Sequence, residues 1–191
     1  EVLTSTFATG AQKSPFLNSG VCLGGRVFTT KSVAKYSGKK YSLGDVLVDA
    51  EQVGEEYWIP RNRVEEWKYL KGSKSIERTH KASGSKYTYA EGKMAFPDLL
   101  TNPSRTILTG EGGTSASRFK HIIQMGSRFR RLTPVELERL NGFPDNWTLH
   151  GLSEEISDAR RAFFMGNALV VGLVERIGAV LASDLHSIKH D

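Results

Sequence analysis

Hydrophobic and polar positions along this chain fall into short, sharply bounded segments. Val64–Leu70 (VEEWKYL) puts Val64, Trp67 and Leu70 at helical spacing and predicts a short amphipathic helix. Val21–Thr30 (VCLGGRVFTT) reads as two short strands about Gly24-Gly25, a hairpin. Ser42–Val48 predicts one helical turn led by Ser42. Tyr57-Trp58-Ile59, before Pro60, is a short extended piece, and Arg105–Thr109 is a strand that ends in a Gly-rich turn. Val170–Ile188 closes the chain as an amphipathic helix with Val170, Leu173, Val174, Ile177, Val180, Leu181, Leu185 and Ile188 at helical spacing. Gly72–Gly92 has little apolar content and no helical period, so it is expected to be a loop.

Two neighbouring segments carry more information. Thr133 is a helix N-cap type, Pro134 suits the first helical position, and Glu136 lies three residues after Thr133, which makes a capping box. Val135, Leu137 and Leu140 form a small apolar set. Gly142 ends the helix, Pro144 keeps it from resuming, and Phe143 is expected to pack back on it. A plain reading is a well-capped surface helix. From Ala162 to Val174 the only strongly polar residue is Asn167. Phe163, Phe164, Met165, Ala168, Leu169, Val170, Val171, Leu173 and Val174 present apolar surface in nearly every direction, which calls for burial all round. The stretch is too short for a membrane span. Asn167 reads either as a core residue capping a helix that starts near Ala168, or as a polar edge that receives a ligand.

The chain has 191 residues, enough for one domain or two small ones, with a net charge of +5 and a sequence pI near 9.3. That balance is compatible with nucleic acid without being diagnostic. A single cysteine excludes an internal disulfide and suits a reducing compartment. Glu1-Val2-Leu3 lacks the basic start and apolar run of a signal peptide, and the first residue is not Met, which suggests a processed product, an expressed fragment, or the tail of a larger polypeptide. Cys22 sits in a predicted strand and reads as a small buried hydrophobe. His80, His121, His150, His186 and His190 show no metal-ligand spacing. Around Gly72–Gly92, Lys71, Lys74, Arg78, His80, Lys81, Lys86 and Lys93 alternate with Ser, Thr, Gly, Tyr87 and Tyr89. They read as a solvated loop, or as a loop that enters a groove with cations on phosphates and short polar side chains on base edges. Arg118, Lys120, His121, Arg128, Arg130 and Arg131 form a second basic cluster.

Arg131-Leu132-Thr133-Pro134 through Gly142-Phe143-Pro144-Asp145, followed by Met165-Gly166-Asn167-Ala168, resembles the last motifs of DNA cytosine-5 methyltransferases. Pro103-Ser104-Arg105-Thr106-Ile107 with Glu111, Gly112, Gly113, Arg118 and His121 resembles the family's ninth motif. The likeness is specific from about Met94 to Ile177 and weaker over Ser14–Leu47. It departs at Leu169-Val170-Val171, where the family usually has Val-Pro-Pro or similar.

The resemblance implies an α+β chain: a small β-rich target-recognition domain, then C-terminal helices that complete a Rossmann-like α/β methyltransferase domain supplied by another chain or segment. The implied divisions are 1–40 (an extended, hairpin-bearing lead-in), 41–130 (recognition) and 131–191 (docking helices). The family attacks carbon 6 of a flipped cytosine with a cysteine thiolate and moves a methyl group from S-adenosylmethionine to carbon 5. The nucleophile lies in a Pro-Cys dipeptide. Cys22 follows Val21, and the Gly-rich cofactor turn, the Glu-Asn-Val and the Gln-x-Arg-x-Arg are also missing from these 191 residues. The chain alone is therefore expected to be inactive and to act with a partner or N-terminal half that carries Pro-Cys. On this resemblance Asn167, Ala168 and Leu169 line the S-adenosylmethionine pocket. Lys74, Arg78, His80, Lys81 and Lys86 meet double-stranded DNA, and Arg105 and Arg118 touch phosphate or brace the recognition region. The setting implied is cytoplasmic, beside nucleoid DNA in a bacterial or phage restriction-modification system, with no membrane. Two alternatives are a stand-alone DNA-binding or regulatory module without catalysis, and a basic interaction domain unrelated to methylation.

Overall fold

The structure, a computed structural model, describes residues 16–149 and 156–188. Ser14, Pro15, His150 and His190, and the side chains of Leu185, His186 and Ile188, lie outside what is described. Two compact units divide at residue 40: 1–40 and 41–191.

In the first unit, β1 (Ser19–Leu23) and β2 (Arg26–Thr30) pair antiparallel with Leu23 opposite Arg26. Gly24 and Gly25 take φ of 54° and 74°. A two-residue hairpin turn with positive φ at both positions admits glycine at no steric cost, which is why the Gly-Gly pair sits there. Cys22 is exposed, contrary to the burial expected from its place in a strand. A two-stranded ribbon has no second layer to cover either face.

The second unit mixes short helices and hairpins. Ser42 leads a 3-10 turn at Leu43–Val46, closed by a capping box with Asp45. Tyr57 lies in another 3-10 turn (Glu55–Tyr57), and Trp58 bridges to Arg130. The first helix, α1 (Val64–Lys71), buries Trp67 as its spacing predicts. β3 (Lys74–Thr79) and β4 (Lys86–Glu91) form a hairpin where a loop was expected. Period-2 pairing, with Ile76 opposite Tyr89 and Arg78 opposite Tyr87, replaces the helical period that is absent there. Arg105–Thr109 joins no ladder, so the predicted strand is an irregular segment. β5 (Ile123–Met125) and β6 (Arg128–Arg130) make a third hairpin.

Next, α2 (Pro134–Leu140) starts at Thr133 with both capping-box bonds present and ends before Gly142 at φ 78°. It is not a surface helix, because Glu136, Leu137 and Glu138 are all fully buried. Phe143 packs back as expected, its N–H donating to the Glu138 carbonyl at 2.9 Å. α3 (Asp158–Asn167) and α4 (Val171–Ile188) follow, separated by Ala168–Val170. By length and composition alone a window within 158–183 is apolar enough to cross a membrane. The break leaves α3 at ten residues, about half the length a bilayer core requires, with Asp158, Arg160 and Arg161 on it.

One apolar cluster joins Leu43, Val46, Ile107 and Ile123 to Leu132, Leu137, Ala162 and Met165. That cluster draws residues from both sides of 130/131. A second cluster holds Ile59, Trp67 and Ile122. Fully burying one such side chain is worth about 1.5–3 kcal/mol.

Candidate nucleic-acid interface and the Asn167 edge

The β3–β4 hairpin segregates its residues by strand alternation. One face carries Lys74, Ile76 and Arg78 with Tyr87, Tyr89 and Glu91; the other carries Ser75, Glu77 and Thr79 with Lys86, Thr88 and Ala90. The Arg78 guanidinium lies over the Tyr89 ring at 3.8 Å from its centroid, and the His80 ring meets Tyr87 edge-on at 6.3 Å. Stacking holds a planar, always-charged donor in one orientation. The tip closes when the His80 N–H donates to Ser85 at 2.8 Å and the Gly84 N–H to His80 at 2.9 Å. Arg78, Thr79, His80, Lys81 and Tyr87 line an open concavity of about 500 Å³.

The expected DNA-facing cations are not equivalent. Lys81 and His80 are exposed at the tip. Lys86 pairs with Glu77 at 2.9 Å, with both side chains about two-thirds exposed or more. A pair that open to water is worth little, so Lys86 stays available. Lys74 belongs to the root of the hairpin: it lies 3.8 Å from Glu91 and 4.6 Å from the Tyr69 ring centroid. Glu91 also accepts from the Tyr89 hydroxyl at 2.6 Å and pairs with Arg118. The Tyr89 bond leads the causes that hold the Glu91 carboxyl below the usual carboxylate range, with the Arg118 and Lys74 charges adding to it. Glu91 is absent from the sequence-level site because an acid in a basic segment carries no local signal of its partners.

Arg105 and Arg118 spend their donors within the chain. Arg105 forks onto Asp98 at 2.8 and 3.1 Å and reaches the carbonyls of Phe119 and Lys120 at 2.9 and 3.0 Å. Arg118 donates to the Gly92 carbonyl at 2.7 Å and to Met94 Sδ at 3.4 Å. Much of the second basic cluster is likewise absorbed: Arg130 is fully buried on Glu136, and Arg131 donates to backbone carbonyls of Gly112, Gly113 and Glu56, while Arg128 stays exposed, paired with Glu55 at 2.6 Å and stacked on Trp58. Lys120 reaches the Gly113 and Ser115 carbonyls, and His121 is buried between Glu111 and Ser104, each at 3.1 Å. Lys71, buried beneath this region, donates to the Lys120 carbonyl at 2.6 Å. Burial pushes its ammonium down to about 8, against the pull of Asp98.

Asn167 is the last residue of α3, not the cap of a helix beginning near Ala168, and it is exposed. Its amide donates back to the Phe163 carbonyl at 3.1 Å. Ala168 is extended (φ −76°, ψ 153°), and Leu169 is 71% exposed. Nor is the flanking apolar run buried all round. Ala162 and Met165 enter the core, while Phe163, Leu169, Val170, Val171, Leu173, Val174, Ile177, Val180 and Leu181 are exposed. The path through the break is held from α2. The Asn141 amide donates to the Met165 carbonyl at 2.9 Å, and the Asn141 carbonyl accepts from the Val171 N–H at 2.8 Å. Gly166 lets α3 press onto residues 108–109: a Cβ there would lie 2.4 Å from the Thr109 nitrogen.

A family model described as C-5 cytosine-specific DNA methylase matches residues 26–183. Over 176 residues the chain is 41% identical to Type II methyltransferase M.Sau3AI of Staphylococcus aureus, an alignment covering 92% of this chain and 40% of that protein. The chain thus spans about 40% of the length of this relative. No solved structure matches it.

Proposed function

The chain belongs to the C-5 cytosine-specific DNA methylase family, and from that premise we propose that it is the DNA-recognition and cofactor-pocket-completing part of a cytosine-5 methyltransferase. The observation that carries the reading is the apolar surface beginning beside Asn167 and running along α4. Leu169, Leu173, Ile177, Val180 and Leu181 are each more than half exposed. A contiguous apolar surface of that extent is rare on a monomer and fits a face that meets the rest of a catalytic domain. The catalytic thiolate belongs to that remainder. Cys22, an exposed residue of β1, lies in Val-Cys-Leu and not in a Pro-Cys dipeptide.

The donor set at the break suits one edge of an S-adenosylmethionine site. Asn167 offers an exposed amide, Ala168–Val170 offer backbone groups between the two helices, and Leu169 offers an apolar side chain. When bound, the cofactor supplies the methyl group for carbon 5 of a flipped cytosine. Asn167, Ala168 and Leu169 bind and orient it. On the DNA side a two-stranded ribbon is narrow enough for the major groove. His80 and Lys81 at the tip, with the stacked Arg78, meet bases and phosphates, and Lys86 meets phosphate. Lys74, Arg105 and Arg118 hold the ribbon's root and the loops beneath it. A bacterial restriction-modification setting follows by analogy with the relative.

The test is methyl incorporation into duplex DNA from labelled S-adenosylmethionine, with this chain alone and together with the polypeptide that carries Pro-Cys. The expected result is transfer only with both, undiminished by Cys22→Ala. Full activity of the isolated chain overturns the proposal.

A further inference from the structure

The positive charge of this chain is not spread along it. Residues 1–40 contain six lysines and arginines and one acid, while residues 41–191 contain twenty cations and twenty acids. The entire net charge of +5 therefore resides in the first unit. Within its described part, 16–40, there is no carboxylate at all, and Arg26, Lys31, Lys35, Lys39 and Lys40 are all exposed. From Lys31 to Lys40 every residue is exposed, and the backbone after β2 joins no helix or ladder.

The second unit balances cations with acids, and several of its cations pair with a carboxylate at close range: Lys74 and Arg118 with Glu91, Lys86 with Glu77, Arg128 with Glu55, Arg130 with Glu136, and Arg139 with Asp145. Evolution of a merely soluble surface mixes the signs, as the second unit does. An acid-free, exposed run of lysines outside any helix or ladder is instead the electrostatic footprint of a polyanion contact. Lysine is a hydrated point charge on a flexible stem, suited to phosphate at variable geometry and carrying no base-reading fork.

We propose that residues 26–40 form a second DNA contact, an arm that holds the duplex by its phosphates irrespective of sequence, while base reading rests with the β3–β4 ribbon. The inference rests on the proposed DNA-binding role and adds a division of labour to it. The arm adds affinity and salt dependence to the ribbon's own phosphate contacts, and the ribbon supplies selectivity.

The experiment is fluorescence anisotropy with the full 191-residue chain and two labelled 30-base-pair duplexes of unrelated sequence, over a salt series from 50 to 200 mM. Each lysine that neutralises a phosphate contributes about 0.9 to the slope of log K against log salt, so the triple variant K31Q/K35Q/K40Q loses up to about 2.7 from the slope. Over that fourfold range of salt the wild type then weakens by up to about 40-fold more than the variant. The change is the same on both duplexes, and K31R/K35R/K40R keeps the wild-type slope. The three single Lys→Gln substitutions each remove no more than about 0.9 of slope and serve as the readout should the triple variant not fold. An unchanged slope with binding intact overturns the arm and leaves the ribbon's role standing, as does a loss confined to one duplex. A lowered melting temperature with unchanged slope also overturns it, because the lysines then serve a protein contact. No duplex binding by the wild-type chain at any salt overturns both proposals.

Discussion

Gly166→Ala sets two local effects against each other, and their sizes decide the sign. Gly166 is the penultimate residue of α3, where alanine is favoured over glycine by about 0.8–1 kcal/mol in helix propensity at most. If that were all, the melting temperature would rise by roughly 2–4 °C for a chain of this length. The added Cβ, however, would stand 2.4 Å from the Thr109 nitrogen and 2.6 Å from both the Leu108 carbonyl carbon and the Thr109 Cα. All three are backbone atoms, which have no alternative rotamer. Separation to ordinary contact requires a shift of about 1 Å between α3 and the 107–109 segment, which would loosen Ala162 and Met165 from Ile107. Overpacking of this kind costs about 1–3 kcal/mol, with backbone clashes toward the upper end. The expected outcome is a net loss of about 1–2 kcal/mol and a melting temperature lower by roughly 2–8 °C. Gly178→Ala is the matched control: it lies inside α4 with nothing within 4 Å of a new Cβ, so only the propensity gain applies. Calorimetric melting of the two variants beside the wild type is the assay. If Gly166→Ala melts as high as Gly178→Ala, the close approach of α3 to residues 108–109 is refuted.

Other outcomes follow from the same contacts. Glu138, fully buried, accepts from the Asn146 and Thr148 N–H groups at 2.7 and 3.0 Å and pairs with Arg161 at 3.0 Å. Glu138→Ala removes the nearest carboxylate from that arginine, leaving Asp158 at 3.6 Å, and should cost up to about 3–5 kcal/mol in urea unfolding, whereas a loss under 1 kcal/mol would place Arg161 in water. Burial pushes the Lys71 ammonium down to about 8 from its ordinary 10.5. Between those values the unfolded chain keeps a proton that the native chain has released, so stability should rise with pH from 8 toward 10, by at most about 1.4 kcal/mol per unit. The buried Tyr57 hydroxyl, whose pKa is raised, acts with the opposite sign above about pH 10. Lys71→Met should flatten that rise in pH-dependent melts, and an unaltered profile would remove Lys71 as its source. Asn167→Ala should weaken S-adenosylmethionine binding by the assembled enzyme while leaving duplex binding by this chain unchanged. Calorimetry that finds equal cofactor affinity would reduce Asn167 to its bond with Phe163.

What the sequence reveals here is set by the range of the interactions involved. The Thr133-to-Glu136 capping box, the Gly24-Gly25 turn, the Ser42-led turn and the inward Trp67 are all decided within a few residues, and each is where its local pattern puts it. The β3–β4 hairpin is harder to see. Its better-packed face holds one isoleucine and two tyrosines among lysine, arginine and glutamate, so a search for apolar alternation finds almost nothing. Its order comes from Arg78 on Tyr89 and from Glu91 at the root, contacts that pair residues across the hairpin or from 27 positions away in the case of Arg118. Arg128 finds Glu55 across 73 positions. A run rich in arginine therefore looks like a display of charge when it is mostly internal bracing. The reverse error is Ala162–Val174, where apolar composition implied burial that this chain alone does not provide.

The polar core explains why so short a helix as α2 anchors the Asn167 edge. Glu136 and Glu138, two residues apart, project about 200° from one another around the helix axis. Glu136 turns to Arg130 at the end of β6, taking two bonds at 2.6 and 2.8 Å while its other contacts reach the Thr133 and Val48 N–H groups. Glu138 turns the other way, to Arg161 on α3. Seven residues thus tie a hairpin on one side to a helix on the other through fully buried ion pairs. Such pairs contribute little net stability over an apolar alternative, but breaking one is costly, so they fix geometry more than they add energy. At the helix C-terminus Asn141 extends the same clamp to the Met165 carbonyl and the Val171 N–H, on either side of the break that presents Asn167. A partly exposed break is therefore held at both ends by a deeply buried element. A polar edge meant to meet a small ligand needs that arrangement: surface access for the group, and a rigid seat for the backbone that carries it.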